Sequence, residues 1–144
     1  MMWSGADPIS ELHLTSAPAD LGQLYPWLDE AAGGGAIDPQ ILARMHITLE
    51  EAVANVALHG FVDGGIGRIV VRLSIDAAAA VIDVEDTGVA FDPTAAIPRE
   101  RVAMIKETLP GGWGLGLIRQ FCPEFSYARR GDTNHLTLRF PLVA

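Results

Sequence analysis

Apolar residues recur at helical spacing between residues 39 and 59, and this is the clearest pattern in the chain. The apolar positions of this stretch are Ile41, Leu42, Met45, Leu49, Val53 and Val56. Their spacing places them along one side of an α-helix. Asp38 suits the N-cap, Pro39 suits the first helical position, and Gly60 suits the C-terminal end. The pattern predicts a helix over about 39–59.

Alternation of apolar and polar residues predicts β-strands in the rest of the chain. The predicted strands cover residues 9–15, 68–76, 80–86, 124–130 and 134–142. Residues 77–79 and the Gly131-Asp132 pair are short connections of the kind that close hairpins. Strands that come in hairpins favour an antiparallel or mixed sheet.

Two further helices are expected between these strands. One starts at Pro18, passes Trp27 and ends at the glycine break at 33–35, with Pro26 as a kink or a restart. The other covers residues 114–121. The fold class is therefore α+β: a two-layer sandwich with an antiparallel or mixed sheet and helices on one face.

Length and composition are those of one ordinary globular domain. The chain has 144 residues, of which 49% are hydrophobic, so it can bury a full core without disulfide or metal support. We expect a single domain over 1–144 with an ordered core at about 9–142. Cys122 is the only cysteine, which excludes an intrachain disulfide and indicates a small buried apolar residue.

The charge balance narrows the classes of partner. Eighteen acidic and ten basic residues give a net charge of −8, which argues against nucleic acid and anionic membranes and favours a basic protein surface. The first residues show no positive region followed by an apolar run, and no stretch approaches the roughly 20 apolar residues that span a bilayer. The expected location is cytoplasmic.

A polar stripe runs along the predicted helix 39–59. Glu51, Asn55 and His59 lie four residues apart, and each step of four turns only about 40° around a helix. A solvated face is the alternative interpretation, above all for Glu51. The neighbours of Asn55 are small and apolar, however, so its amide is expected to be partly buried and to need a partner such as a hard cation or a bound ligand.

A carboxylate stands on the core face of the predicted strand 80–86. The period of two puts Asp86 on the same face as Ile82 and Val84, where it needs a hydrogen-bond donor such as an adenine amino group. Gly88 permits a sharp turn and Phe91 offers an apolar flank. The alternative is a plain Asp-Thr-Gly turn whose carboxylate caps its own loop.

Glycines lie just before the predicted helix 114–121 and in its first turn. They are Gly111, Gly112, Gly114 and Gly116. Free backbone amides at a helix N-terminus can hold phosphate oxygens, although glycine-rich turns also occur without ligands. The spacing matches neither the P-loop nor the dinucleotide fingerprint.

The three segments occur in one order and together resemble the GHKL ATPase superfamily, most closely its small bacterial members, the anti-sigma factor serine kinases. The family boxes ExxxNxxxH, DxGxxFD and GxGLxL are matched here by residues 51–59, 86–92 and 112–117. The resemblance covers about 9–142 and implies the histidine-kinase-like ATPase fold with ATP and Mg²⁺ as cofactors.

The resemblance also implies residue roles. Asn55 would coordinate Mg²⁺, Asp86 would bind the adenine amino group, and Glu51 would be the general base for a protein serine hydroxyl. Asn134 takes a position beside the adenine where the family commonly has Thr, and His59 is expected to make a structural hydrogen bond. The residues expected to line the nucleotide and its lid are Gly88, Gly112, Gly114, Leu115 and Gly116.

The implied function is an ATP-dependent switch. The protein would sequester a sigma factor of RNA polymerase and phosphorylate a serine of its STAS-type anti-anti-sigma antagonist. A homodimer is also implied, with Trp3, Leu14 and Trp27 as candidate contacts.

Other functions stay open, because Leu109-Pro110 replaces an Arg that often precedes the glycine box. Arg99, Arg101 and Lys106 are the candidate replacements. The main alternative is a non-catalytic nucleotide-binding module that acts by stoichiometric capture. A histidine kinase fragment and a retained fold with an empty pocket are favoured less.

Overall fold

The computed structural model describes residues 8–33, 35–61, 65–90 and 114–142, with side chains from residue 118 onward in the last range. The helices in these ranges are α1 Pro18–Leu21, α2 Leu24–Ala31, α3 Pro39–His59 and α4 Gly114–Phe121. The strands are β1 Ser10–Thr15, β2 Arg68–Ile75, β3 Ala79–Asp86, β4 Glu124–Arg130 and β5 Thr133–Pro141. Apart from the helical region before α3, each end of a helix or strand lies within one residue of its predicted position.

The five strands form one sheet in the order β1-β2-β3-β5-β4, and each neighbouring pair is antiparallel. Of the two arrangements expected, antiparallel or mixed, the antiparallel one is observed, because short turns join β2 to β3 and β4 to β5. The predicted α+β class is confirmed.

The main core lies between the sheet and the helices. Leu73, Ile82 and Leu138 face one another across β2, β3 and β5, and none of them has exposed surface. They belong to one cluster with Met45 of α3 and Ile118 of α4. Since full burial of such a side chain contributes about 1.5–3 kcal/mol, this layer holds the helices on one face of the sheet.

The opposite face of the sheet carries a network of ion pairs. Arg72 lies at its centre: Nε is 2.9 Å from Glu11 Oε1, and Nη1 is 3.1 Å from Glu85 Oε1 and 3.6 Å from Asp83 Oδ2. His135 Nδ1 is 3.8 Å from each of the last two oxygens. Because alternate residues of β3 point to opposite faces, this network lies on the other side of the sheet from Asp86.

Helix α3 begins and ends as the sequence predicts. Asp38 Oδ1 accepts a hydrogen bond from the Gln40 amide at 2.7 Å, and the Gly60 amide donates to Val56 O at 2.7 Å. Gly60 has a right-handed φ of −78°, so its conformation does not demand glycine. A Cβ there would lie 2.6 Å from Val56 O, so no other residue has room at this position.

No helix in the described ranges is long and apolar enough to cross a bilayer.

The helical region before α3 differs from its prediction. The expected continuous helix is divided into α1 and α2 at Gly22 and Gln23, and not at Pro26. Pro26 is the third residue of α2, in the first turn, where a missing backbone N–H costs no helical hydrogen bond. The chain therefore turns before the proline.

Of the three candidate dimer contacts, one is buried and one is partly buried. Leu14 is buried in the main core, and Trp27 packs against that core while its Nε1 donates to Ser10 Oγ at 3.0 Å. Leu14 is therefore a core residue and not a free dimer contact, whereas Trp27, which is only partly buried, stays a candidate contact. Trp3 lies outside the described residues.

Cys122 is fully buried, as predicted, and we expect its thiol to be inert in the folded protein. Sγ lies 3.2 Å from Glu124 O and 3.6 Å from Arg139 O, and burial raises its pKa to about 11. At pH 8 the thiol should react with DTNB at least about 100-fold more slowly in the native protein than in urea. Equal rates would contradict its burial.

Candidate functional site

The polar stripe of α3 contains two side chains with unsatisfied buried atoms. Asn55 is 6% exposed, and its Nδ2 has no hydrogen-bond partner in the described part of the chain. One turn earlier, the buried Oε2 of Glu51 also has none. Since unpaired buried polar atoms are costly, this helix face is a candidate place for a polar ligand.

Asp86 ends β3 and is 4% exposed, as its place on the core face predicts. Its Oδ1 accepts hydrogen bonds from the Gly88 amide at 2.8 Å and from Asn134 Nδ2 at 3.0 Å. Within the described part of the chain, these bonds leave Oδ2 as the free acceptor of the carboxylate. The alternative of a carboxylate that caps its own loop is therefore true of one oxygen only.

Asn134 lies beside Asp86 because β5 pairs with β3 in the register that sets the two residues opposite each other. Its Nδ2 also donates to Val89 O at 2.8 Å, and its Oδ1 accepts from the Tyr127 hydroxyl of β4. Arg129 Nη1 donates to Gly88 O at 2.7 Å. These bonds hold the loop after β3 against the ends of β4 and β5.

One cavity joins these elements. It measures about 310 Å³ with its open mouth included. Its lining residues are Ala52, Asn55, Val56, Asp86, Ile118, Tyr127, Asn134 and Leu136. Apolar walls with a few convergent polar groups are the usual form of a small-molecule site. The structure thus brings together Asn55, Asp86 and Asn134, while Glu51 lies one helical turn away on α3.

The loop after β3 lies against the end of α3 at two glycines. The Val89 amide donates to Gly60 O at 2.8 Å, and a Cβ on Gly88 would lie 2.5 Å from that same oxygen and 2.9 Å from Asp86 Oδ1. Only glycine fits at this distance. Contacts within the protein therefore require glycine at position 88. The expected place of Gly88 beside the nucleotide stays a prediction.

We expect Gly88→Ala to destabilise the fold by about 1–3 kcal/mol and to displace Asp86, because the new methyl group has no space. Urea unfolding measures the first effect, and ADP titration measures the second. Gly22→Ala is the matched control: its φ is −64° and the nearest atom to a new Cβ lies at 3.9 Å. Unchanged stability of Gly88→Ala would contradict the contact.

The glycine-rich segment is described only from its second half. Gly114, Leu115 and Gly116 form the first turn of α4, as predicted. Gly112 lies outside the described residues, and so do Phe91 and the candidate phosphate contacts Arg99, Arg101 and Lys106. Ile118 of the same helix lines the cavity, so α4 borders the site.

The environment shifts the pKa of two groups on the α3 stripe. Burial, and then the neighbouring Glu50 charge, raise the pKa of Glu51 above its ordinary value of 4.5. Burial lowers the pKa of His59 below its ordinary value of 6.5. Glu51 is thus a stronger proton acceptor than a solvated carboxylate, which suits a general base.

The sequence of the chain matches the histidine kinase-like ATPase domain over residues 14–140. It belongs to this family. The chain is also 32% identical over 128 residues to the serine/threonine-protein kinase BtrW of Bordetella bronchiseptica (strain ATCC BAA-588 / NCTC 13252 / RB50), and the match covers 89% of each protein. The resemblance found from the three sequence segments is confirmed.

The fold is shared with a solved structure. The Erythrobacter litoralis EL346 blue-light activated histidine kinase superposes with a TM-score of 0.54 and 20% identity, over 94% of this chain and 42% of that one. The histidine kinase domain from the same protein superposes with a TM-score of 0.49 and 22% identity, over 86% and 60% of the two chains. The protein is thus a kinase-like, ATP-binding member of the histidine kinase-like ATPase family.

Sequence reasoning missed two residues at the site, Tyr127 and Arg129. Their signal is the period of two along β4, which puts both on the strand face that carries Phe125. The register Tyr127↔Leu136 and Arg129↔Asn134 brings them to Asn134. That register depends on how the chain turns at Gly131, whose φ is +60°.

Proposed function

We propose that this histidine kinase-like ATPase is an anti-sigma factor with protein-serine kinase activity. It would sequester a sigma factor of RNA polymerase and phosphorylate a serine of the STAS-type antagonist, which inactivates the antagonist of that sequestration. The observation that carries the proposal is the convergence of Asn55, Asp86 and Asn134 from three elements on one cavity. The kinase relative supports the reaction type.

Asp86 would recognise the adenine base. Its Oδ1 is committed to the Gly88 amide and to Asn134, so Oδ2 is left to accept a hydrogen bond from the 6-amino group. The apolar walls Val56 and Leu136 would flank the ring. A charged acceptor inside an apolar cleft gives a strong, directional bond.

Asn55 is a side chain that fits a magnesium ion. Asn55 is buried with an unsatisfied amide, and rotation of the amide about its last bond presents the oxygen, a ligand of the hard type that Mg²⁺ prefers. Asn55 would therefore hold the ion. When bound, Mg²⁺ neutralises phosphate charge.

Glu51 would act as the general base one helical turn from Asn55. The serine Oγ of the antagonist attacks the γ-phosphorus, the bond from that phosphorus to the β,γ-bridging oxygen breaks, and ADP leaves. Glu51 takes the hydroxyl proton as the new P–O bond forms. Its raised pKa favours that transfer.

A non-catalytic module that captures its partner stoichiometrically is the second candidate. Leu109-Pro110, in place of an Arg before the glycine box, favours it. In that case nucleotide would bind and stabilise the fold, and no serine of the antagonist would be phosphorylated.

The test is a phosphotransfer assay with purified protein, Mg²⁺, γ-labelled ATP and the antagonist encoded beside its gene. Label on the antagonist, absent when its acceptor serine is replaced by Ala, supports the kinase. A pull-down of the neighbouring sigma factor with and without ADP tests capture. Nucleotide binding and sigma capture without label on the antagonist would support the non-catalytic module. If nucleotide binding, sigma capture and label are all absent, both candidate functions are overturned.

A further inference from the structure

The cavity contains a tyrosine whose hydroxyl faces another protein group. Tyr127 of β4 lines the cavity, and its hydroxyl donates to Asn134 Oδ1. Asn134 is 4% exposed, so its amide has little access to water. The chain has two tyrosines, and the other, Tyr25, is 53% exposed on α2 and stacks on His46. The hydroxyl of Tyr127 is thus the one that belongs to the candidate site.

The surroundings of Asn134 allow one orientation of its amide. On one side lie three oxygens that can only accept hydrogen bonds: Asp86 Oδ1 at 3.0 Å, Val89 O at 2.8 Å and Gly88 O at 3.4 Å. The NH₂ group must face them, because the amide oxygen would be repelled there. The amide oxygen then faces Tyr127, whose hydroxyl has to be the donor.

We propose that Tyr127 is a positioning residue. Through Asn134 it fixes which groups of the base-recognition site donate hydrogen bonds and which accept them. With its proton committed to Asn134 Oδ1, the hydroxyl holds the NH₂ group on Asp86 Oδ1. Asp86 Oδ2 is then presented as a fixed acceptor. This inference rests on the proposed binding of an adenine nucleotide in the cavity.

The consequence is selectivity for the group at the 6-position of the purine. A 6-amino group donates to Asp86 Oδ2, whereas a 6-oxo group places its oxygen against the carboxylate. Without the Tyr127 hydroxyl, the amide oxygen of Asn134 loses its donor and the amide is held from one side only, so Asp86 Oδ2 is presented in a less fixed position. A less fixed acceptor bonds the 6-amino group more weakly, so the discrimination between the 6-amino and 6-oxo groups should decrease.

The experiment compares ADP with IDP, its 6-oxo analogue, by calorimetric titration of the full chain in the presence of Mg²⁺. Tyr127→Phe is expected to weaken ADP binding about tenfold and IDP binding less than about twofold, so the ADP preference should fall about fivefold or more. Tyr25→Phe, which removes the same hydroxyl far from the cavity, is the matched control and should leave both affinities unchanged.

A double-mutant cycle separates action through Asn134 from direct contact with the base. In an Asn134→Thr background there is no amide to orient, so adding Tyr127→Phe should change ADP affinity less than about twofold. A full tenfold effect in that background overturns the inference, as does an equal loss of ADP and IDP binding accompanied by lower thermal stability. The first result would mean that the Tyr127 hydroxyl contacts the base directly. The second would mean that Tyr127 has only a structural role.

The outcomes also separate this inference from the proposed function. If the wild-type chain binds neither ADP nor IDP, the inference and the nucleotide site both fail. If ADP binds with the expected coupling while the antagonist stays unlabelled, the inference holds and the kinase proposal fails. If the antagonist is labelled and the coupling is absent, the kinase holds and the inference fails.

Discussion

Replacement of Glu51 by Gln is expected to slow phosphoryl transfer to the antagonist at least about 100-fold, because the amide cannot accept the serine proton. ADP affinity should change less than about twofold, since Glu51 lies one turn from the cavity. The measurement is the initial rate of label transfer, with ADP affinity from calorimetry. If the Glu51→Gln variant has the wild-type rate, Glu51 is not the general base.

Glu50→Gln is the matched control, because Glu50 is an exposed carboxylate on the same helix. It should leave the rate at neutral pH unchanged. The two carboxylates are linked, however: burial, and then the Glu50 charge, raise the pKa of Glu51. Because the base works only when deprotonated, the rate falls as the pH falls through that pKa, and removal of the Glu50 charge should shift this decline to lower pH.

Replacement of Asp86 by Asn is expected to weaken ADP binding roughly 100-fold, which corresponds to about 2.7 kcal/mol. The new side chain must keep an oxygen toward the Gly88 amide and Asn134 Nδ2, so its NH₂ group takes the place of Oδ2. Two donors then face each other where the carboxylate accepted the adenine amino group. Calorimetric titration with ADP measures the loss.

Asp83→Asn serves as the control for Asp86→Asn. Asp83 is a carboxylate of the same strand on the opposite face, beside Arg72 and His135. ADP affinity should change less than about twofold, although the ion-pair network loses a charge. Equal effects of the two substitutions would mean that Asp86 acts through the stability of β3 and does not contact the base.

The elements could be predicted well where local chemistry decides them. Helix α3 has a capping aspartate, a proline at its first position and a crowded glycine at its end, and its bounds were predicted correctly. The hairpin between β2 and β3 closes because Asp76 Oδ1 accepts from the amides of Ala78 and Ala79. Pro26 was misjudged as the break, because its tolerated place in the first turn depends on where α2 begins.

The single positions within the site were also predictable to a degree. Periodicity is a local property, so the sequence alone determined that Asn55 lies on the buried side of α3 and that Asp86 points into the core. The segments that contain these residues, together with the glycine-rich segment and in this order, indicated the family.

The relations between these residues were decided by the tertiary structure. Asn134 meets Asp86 only because β3 and β5 pair in one register, and Tyr127 reaches Asn134 only because β4 pairs beside them. A shift of one residue in either pairing would turn these side chains to the other face of the sheet. Long-range pairing of strands therefore decided which hydrogen bonds form, while the sequence determined which groups were available to form them.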